Sequence, residues 1–370
     1  MPTRPLPSDQ QHVPPRQNLW PREQSKHDAT SVAASNRGHL VRESPTARKT
    51  VTMFNELVQH HRDDPAPVPG VIRRRINLHG QPMSYLEAGR ATGGPVVVLV
   101  HGLAGNATSW QPVLRRLGEH AHVLAPDLLG HGESATPHNG DYSVGGHATR
   151  LRDLLLRLGL EHASVVGHSF GGGVAMTFAH QFPERTDTLT LIASGGLGPE
   201  LSVALRGASL PGVAYAAQTL SRFAPGWVAR LAHHGARTLG IASAGELDGL
   251  GHALRSLTDP DTRQAFLSTL RATVNWAGQR LDATDRLYLL AALPILLVAG
   301  RHDACIPFRH TLRAHQLLPH SRLEVLDAGH FPHTEHPHVL ADLLVDFLHT
   351  RSRHLTSAPT GDLADATRAS

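Results

Sequence analysis

Three residues far apart in the chain have the types and order needed for nucleophilic chemistry: Ser169, Asp303 and His330. Ser169 stands in Gly167-His168-Ser169-Phe170-Gly171, between the apolar run ending Ser164-Val165-Val166 and the small-residue start Gly172-Gly173-Val174-Ala175. A G-x-S-x-G segment between a strand and a helix predicts a sharp turn that presents the serine hydroxyl at the top of a sheet. Gly167 and Gly171 suit such a turn, where flanking side chains would collide with neighbouring backbone. A serine hydroxyl is a weak nucleophile by itself, so the turn calls for a histidine base, a carboxylate to orient it and backbone donors for a developing oxyanion.

Each of these has a candidate. Leu323-Glu324-Val325-Leu326 reads as a last strand followed by the loop Asp327-Ala328-Gly329-His330-Phe331-Pro332, which makes His330 the base. With 28 histidines in the chain, any other single one is by default a surface residue. His333, His336 and His338 follow closely, but no cysteine or carboxylate pattern supports a metal cluster there, and no metal is expected. Pro294-Ile295-Leu296-Leu297-Val298-Ala299 has the continuous apolar character of a buried parallel strand, and Asp303 lies in the loop after it. Asp327 is the rival acid, but its position three residues before His330 makes a side-on bond to that imidazole awkward. The oxyanion donors are expected to be the backbone N–H groups of Phe170, just after the serine, and of Leu103. Leu103 sits in His101-Gly102-Leu103-Ala104-Gly105-Asn106, the turn after the strand Val96-Val97-Val98-Leu99-Val100.

The elements that must position these groups alternate. A helix and a strand are expected over 71–86, then strands near 96–100, 122–125, 163–167 and 189–193 with helices between them. Arg150 to Leu158 shows the apolar spacing of a helix packed on a sheet. This alternation predicts an α/β architecture, a mostly parallel sheet with helices on both faces. Residues 1–69, rich in Pro, Ser, Gln, Arg and Thr, read as a disordered tail with a short possible helix near Thr52 to His60. Residues 70–196 and 291–350 form the core, 197–290 a helical insertion after the sixth strand, and 351–370 a flexible tail.

The chain resembles the α/β-hydrolase superfamily over roughly residues 70 to 350. The likeness is carried by His101-Gly102-Leu103, by Asp127-Leu128-Leu129-Gly130-His131-Gly132-Glu133-Ser134, by the serine turn, by Gly300-Arg301-His302-Asp303 and by Gly329-His330-Phe331. The chain order Ser169, Asp303, His330 is that of this fold. The resemblance implies that the insertion over 197–290 is a cap over the serine, and that the Asp127 to Ser134 loop lies beside the site with a structural role. Leu210, Val213, Tyr215, Phe223, Trp227, Phe266 and Trp276 could line a pocket there, or pack the cap's own core. A serine at residue 169 argues against the dehalogenase and epoxide hydrolase branches, which carry an aspartate at that turn. Ser194-Gly195-Gly196-Leu197-Gly198-Pro199 resembles a segment of carbon-carbon bond hydrolases of ring-cleavage products. Those enzymes usually carry a longer glycine run and a tryptophan where this chain has Leu103-Ala104 and Phe331. The reading that follows is a serine esterase, thioesterase or lipase-like enzyme acting on a moderately hydrophobic small-molecule ester without a cofactor. A carbon-carbon hydrolase, an acyltransferase and a ligand-binding receptor on the same fold are the alternatives.

Composition fits this picture. At 370 residues and 40% hydrophobic the chain can bury a large core. The single cysteine, Cys305, excludes an internal disulfide and is expected to be a small core thiol. No apolar stretch is long enough to span a membrane and no leader-like apolar region follows Met1-Pro2-Thr3-Arg4-Pro5, so a cytoplasmic location without membrane insertion is expected. The net charge of +4 is spread among acidic residues, and the one compact basic run, Arg73-Arg74-Arg75, reads as a solvated edge-strand face and not a nucleic-acid contact.

Overall fold

The computed structural model describes residues 69–137, 139–210, 212 and 260–356. The tail expected over 1–69, except its last residue, lies outside the described residues, as do 357–370 and residues 213–259 of the expected cap, including Val213, Tyr215, Phe223 and Trp227.

Eight strands form one sheet: β1 (Val71–Leu78), β2 (Gln81–Ala88), β3 (Val96–Val100), β4 (His122–Pro126), β5 (Ala163–His168), β6 (Thr186–Ile192), β7 (Ile295–Gly300) and β8 (Arg322–Leu326), in the order β1-β2-β4-β3-β5-β6-β7-β8. From β4 across to β8 all neighbours are parallel, whereas β1 and β2 pair antiparallel with each other and β2 with β4. The expected helix at 71 is therefore absent. Val71, Ile72 and Ile76 are β-branched, and His79-Gly80, with φ of 53° and 80°, closes a two-residue hairpin of the type that needs positive φ at both positions.

The central strands are buried on both faces, and their alternation divides the core. Val98 and Val100 of β3, Val165 of β5 and Leu297 of β7 pack with α2 (Val144–Leu158) and α3 (Phe170–Gln181). Val97, Leu99, Val166 and Val298 pack with α1 (Gln111–Leu117) and with α8 (Pro337–Thr356) on the other side. Helix α8 continues through residues 351–356, where the tail was expected to begin. The Arg73-Arg74-Arg75 run lies on edge strand β1, and its guanidinium groups pair with Asp127 and Glu133, with Glu87, and with Glu133.

After β6 the described part of the insertion holds α4 (Val203–Ala208) and α5 (Pro260–Thr273). It then forms a two-residue antiparallel ladder, Val274–Asn275 with Gly278–Gln279, and a 3-10 helix at Thr284–Leu290. The insertion expected to be helical thus also holds this hairpin, closed where Asn275 Oδ1 accepts the backbone N–H groups of Ala277 and Gly278. Phe266, Leu267, Leu270 and Val274 bury against Ala104 and Leu103, so α5 rests on the turn after β3. Among the described residues, Trp276 and Leu210 are instead 73% and 44% exposed. No helix among the described residues is long and apolar enough to cross a membrane.

Candidate active site

Every candidate group follows the carboxyl end of a parallel strand, where the strands of an open α/β sheet release their loops into a common crevice. Ser169 connects β5 directly to α3 and holds φ 54° and ψ −119°, a conformation that costs a non-glycine residue of order 1–3 kcal/mol and persists only when its surroundings impose it. They do so here through backbone bonds. The Ser169 N–H donates to Ile192 O at 3.0 Å, and its carbonyl accepts from Gly172 and Gly195 N–H, each at 2.9 Å. The two flanking glycines are required by space: a Cβ on Gly167 would stand 2.3 Å from Gly171 O, and one on Gly171 would stand 2.4 Å from Val100 O.

His330 lies in the loop after β8 with Nε2 at 2.9 Å from Ser169 Oγ and Nδ1 at 2.9 Å from Asp303 Oδ2. The carboxylate accepts, so the imidazole carries its proton on Nδ1 and leaves Nε2 to receive the serine hydroxyl proton. Asp303 is fixed in turn by two backbone donors, Cys305 N–H and Ile306 N–H, each 2.8 Å from Oδ1. The side chains of His330 and Asp303 are only 6% and 2% exposed, so this line of hydrogen bonds works largely away from water. Asp327, the rival acid, points elsewhere: it is 86% exposed and accepts from His302 at 2.8 Å.

The residues expected to supply the two amide donors stand in the helix after the serine and in the turn after β3. Phe170 is the first residue of α3, where helical N–H groups have no intrahelical partner and the helix dipole is positive. Leu103 is the second residue of the turn Gly102–Gly105, closed by Gly105 N–H to Gly102 O at 3.0 Å with Ala104 at φ 56°. This turn touches the serine, since a Cβ on Gly102 would come within 3.2 Å of Ser169 Cβ.

Residues 95–337 match the family of the alpha/beta hydrolase fold. The chain belongs to this family. The hydrolase is 39% identical over 277 residues to an uncharacterized protein of Mycobacterium tuberculosis, covering 74% of this chain and 80% of that one. It is 30% identical over 261 residues to 2-hydroxy-6-oxo-2,4-heptadienoate hydrolase of Pseudomonas putida, covering 69% and 89%. Lipase 1 of Psychrobacter immobilis is 37% identical over 133 residues, which are 35% of this chain and 41% of the lipase.

What sequence reasoning missed in this α/β hydrolase is how many of its histidines are interior. His101, His131, His147, His168, His310 and His333 are buried alongside His330. For His101 and His168 the default of a solvated imidazole fails because a neutral ring can be satisfied by backbone groups, which the loops around the site offer. His101 Nε2 accepts from Leu128 N–H at 3.0 Å, so its Nδ1–H donates to Gly102 O at 2.8 Å. Burial pushes His101 down to about 4 and His131 and His333 down to about 3, and holds His147 and His168 well below the usual imidazole range. His101 and His168 each close a strand within one of the quoted motifs, and this placement was the available signal.

His333, His336 and His338 do not converge. The His333 ring packs between Trp110 and His168, with centroids at 4.5 and 4.3 Å, and His336 Nε2–H donates to Asp327 O. Among the described residues, the group close enough to hold a metal is Asp303, Cys305 and His330, with ligand atoms within 4.8 Å of one another. Cys305 is therefore not a core thiol but a half-buried one beside the site, drawn there because its N–H caps Asp303. The Asp127 to Ser134 loop is a brace. Asp127 accepts from Ala107 N–H at 2.7 Å, from Glu133 N–H and from Arg73, each at 3.1 Å, and Ser134 Oγ–H donates back to Asp127 O. Burial nonetheless raises the Asp127 carboxyl above its ordinary value, against those donors.

Proposed function

We propose that the protein is a serine hydrolase that cleaves a carboxylic ester or thioester of a moderately hydrophobic small molecule through an acyl-enzyme. The observation that carries this reading is the unbroken line Ser169 Oγ, His330 Nε2, His330 Nδ1, Asp303 Oδ2, with both contacts at 2.9 Å and the serine held at a strained strand-to-helix turn. His330 takes the hydroxyl proton as Ser169 attacks the carbonyl carbon. Asp303 keeps the imidazole in the required tautomer and stabilises the imidazolium that forms. The Phe170 and Leu103 N–H groups receive the oxyanion, a contribution of about 3 kcal/mol per donor in sites of this kind. The leaving group departs with the proton from His330, and water then repeats the sequence on the acyl-enzyme to release the acid.

The same residues can serve carbon-carbon bond cleavage, a reading supported by the 30% identity to the Pseudomonas putida hydrolase. Stopped-flow hydrolysis of short and medium p-nitrophenyl esters separates the two. A burst near one equivalent, lost in Ser169→Ala, supports the ester reading, and the chain-length preference begins to size the pocket. No turnover of either ester by the intact protein removes it and brings the carbon-carbon reading forward.

A further inference from the structure

His168 takes no part in the proton path, yet its ring meets two of the loops that the chemistry needs, the one that carries His330 and the turn that carries Leu103. Its backbone precedes Ser169, and strand alternation turns its side chain to the opposite side of β5. There it is 2% exposed, and its Nε2 lies 2.7 Å from the carbonyl oxygen of His330. A carbonyl only accepts, so the proton sits on Nε2 and the ring donates. Its centroid is 5.0 Å from the His330 ring, 5.4 Å from Phe331 and 4.3 Å from His333, all three on the loop and short helix after β8. On its other side a methyl group on Gly102 would come within 3.0 Å of Nδ1, so the ring also abuts the turn that carries Leu103.

We infer that His168 is a positioning residue: its Nε2–H fixes the His330 backbone relative to Ser169, and its ring sets the spacing between the His330 loop and the Gly102–Gly105 turn. The inference rests on the acyl-transfer reading above. Burial, followed by the proximity of His333 and His330, keeps this imidazole neutral at working pH, so it adds no positive charge against the imidazolium that His330 becomes. The backbone of a base that must stand within hydrogen-bond reach of its nucleophile cannot drift far, since displacements on the order of 1 Å cost about a hundredfold in rate.

The test compares two variants of the full chain. His168→Gln keeps a side-chain N–H donor of similar reach, and His168→Leu removes it. Both are first checked for folding by thermal melt, and His168→Met replaces the leucine variant if that one does not fold. Three quantities are measured: kcat and KM on p-nitrophenyl butyrate, the rate of Ser169 labelling by a fluorophosphonate, and the low-field proton resonance of the His330–Asp303 hydrogen bond, which needs no turnover. The expected result for His168→Leu is a kcat at least about tenfold lower with KM within about twofold, matching slower labelling, and a shifted or lost resonance. His168→Gln is expected to recover most of the rate and to keep the resonance. Equal losses in the two variants, or a leucine variant indistinguishable from wild type, would overturn the inference. If the wild type neither turns over esters nor labels, the acyl-transfer reading falls. The resonance in the two variants then judges His168 separately.

Discussion

The buried histidines make the fold sensitive to mild acid, and the size of the effect follows from the structure. His101, His131 and His333 are held neutral in the folded chain with values of about 4, about 3 and about 3, while in the unfolded chain each returns to about 6.5. The unfolded state thus binds more protons, and stability is complete above about pH 7, then falls as pH drops through 6.5 toward the folded values. At pH 5.5 an unfolded histidine is protonated about ten to one while the folded one is still neutral, which costs about 1.4 kcal/mol each, or about 4 kcal/mol for the three. His147 and His168, also depressed by burial, act in the same direction. A loss of this size is a large part of the 5–15 kcal/mol that holds a typical domain together.

The assay is urea unfolding at pH 7.5 and pH 5.5, with the protons taken up on unfolding measured in parallel. Carboxyls lowered by their partners, such as Glu87, contribute their own loss only further down, near and below 4.5, while Asp127, raised by burial, acts in the opposite direction, so the loss over this pH step comes from the histidines. The expected result is a drop of at least about 4 kcal/mol and an uptake of about three protons or more at pH 5.5. An unchanged midpoint, or an uptake below about one proton, would refute the reasoning. His147→Leu supplies a second check. Neither ring nitrogen of His147 has a hydrogen-bond partner among the described residues, so the apolar replacement is expected to be neutral or stabilising at pH 7.5 and to flatten the acid response.

Other expectations concern the site directly. Asp303→Asn is expected to retain the fold and lower kcat by roughly 10³–10⁴, because an amide cannot hold the His330 tautomer; a kcat within tenfold of wild type in steady-state ester assays contradicts this. Leu103→Pro removes one backbone donor at a turn position whose backbone suits proline, and kcat is expected to fall by about 10²–10³ with little change in melting temperature. Gly171→Ala places a Cβ at 2.4 Å from Val100 O and 2.5 Å from His101 O, and is expected to destabilise by more than about 3 kcal/mol in a denaturant titration. Asp127→Ala leaves Ala107 and Glu133 N–H groups and Arg73 without their shared acceptor, and a loss of about 3–5 kcal/mol is expected in the same titration.

The sequence made the parallel half of the molecule readable because its signals are local and agree with one another. Val96 to Val100 and Ile295 to Ala299 are short apolar runs, the serine turn joins strand to helix within a few residues, and Asp303 and His330 each follow their strand by a short loop. The hairpin at the start was misread because Arg73-Arg74-Arg75 interrupts the apolar alternation on an edge strand whose charges are met by Asp127, Glu133 and Glu87, and those partners are distant in the chain. The two-residue ladder after α5 was hidden for a related reason: it depends on the Asn275 turn, and its period is too short to register.

The interior histidines were illegible because whether a ring is buried depends on the packing and backbone groups that meet it in the fold, which composition does not record. An imidazole with one N–H and one bare nitrogen can join two backbone segments that have opposite needs. His101 does so, receiving the Leu128 N–H and donating to Gly102, and thereby ties the loop after β4 to the turn after β3. His168 ties the strand end that carries Ser169 to the loop that carries His330. A shorter side chain would leave a gap at these crossings, a longer one would clash, and an aliphatic one would abandon a buried N–H or C=O at a cost of about 1–3 kcal/mol. The connectors hold only while neutral, since a proton added to His101 Nε2 would face the Leu128 N–H with a second donor. The same rings that place the loops around Ser169 therefore set the acid limit of the fold.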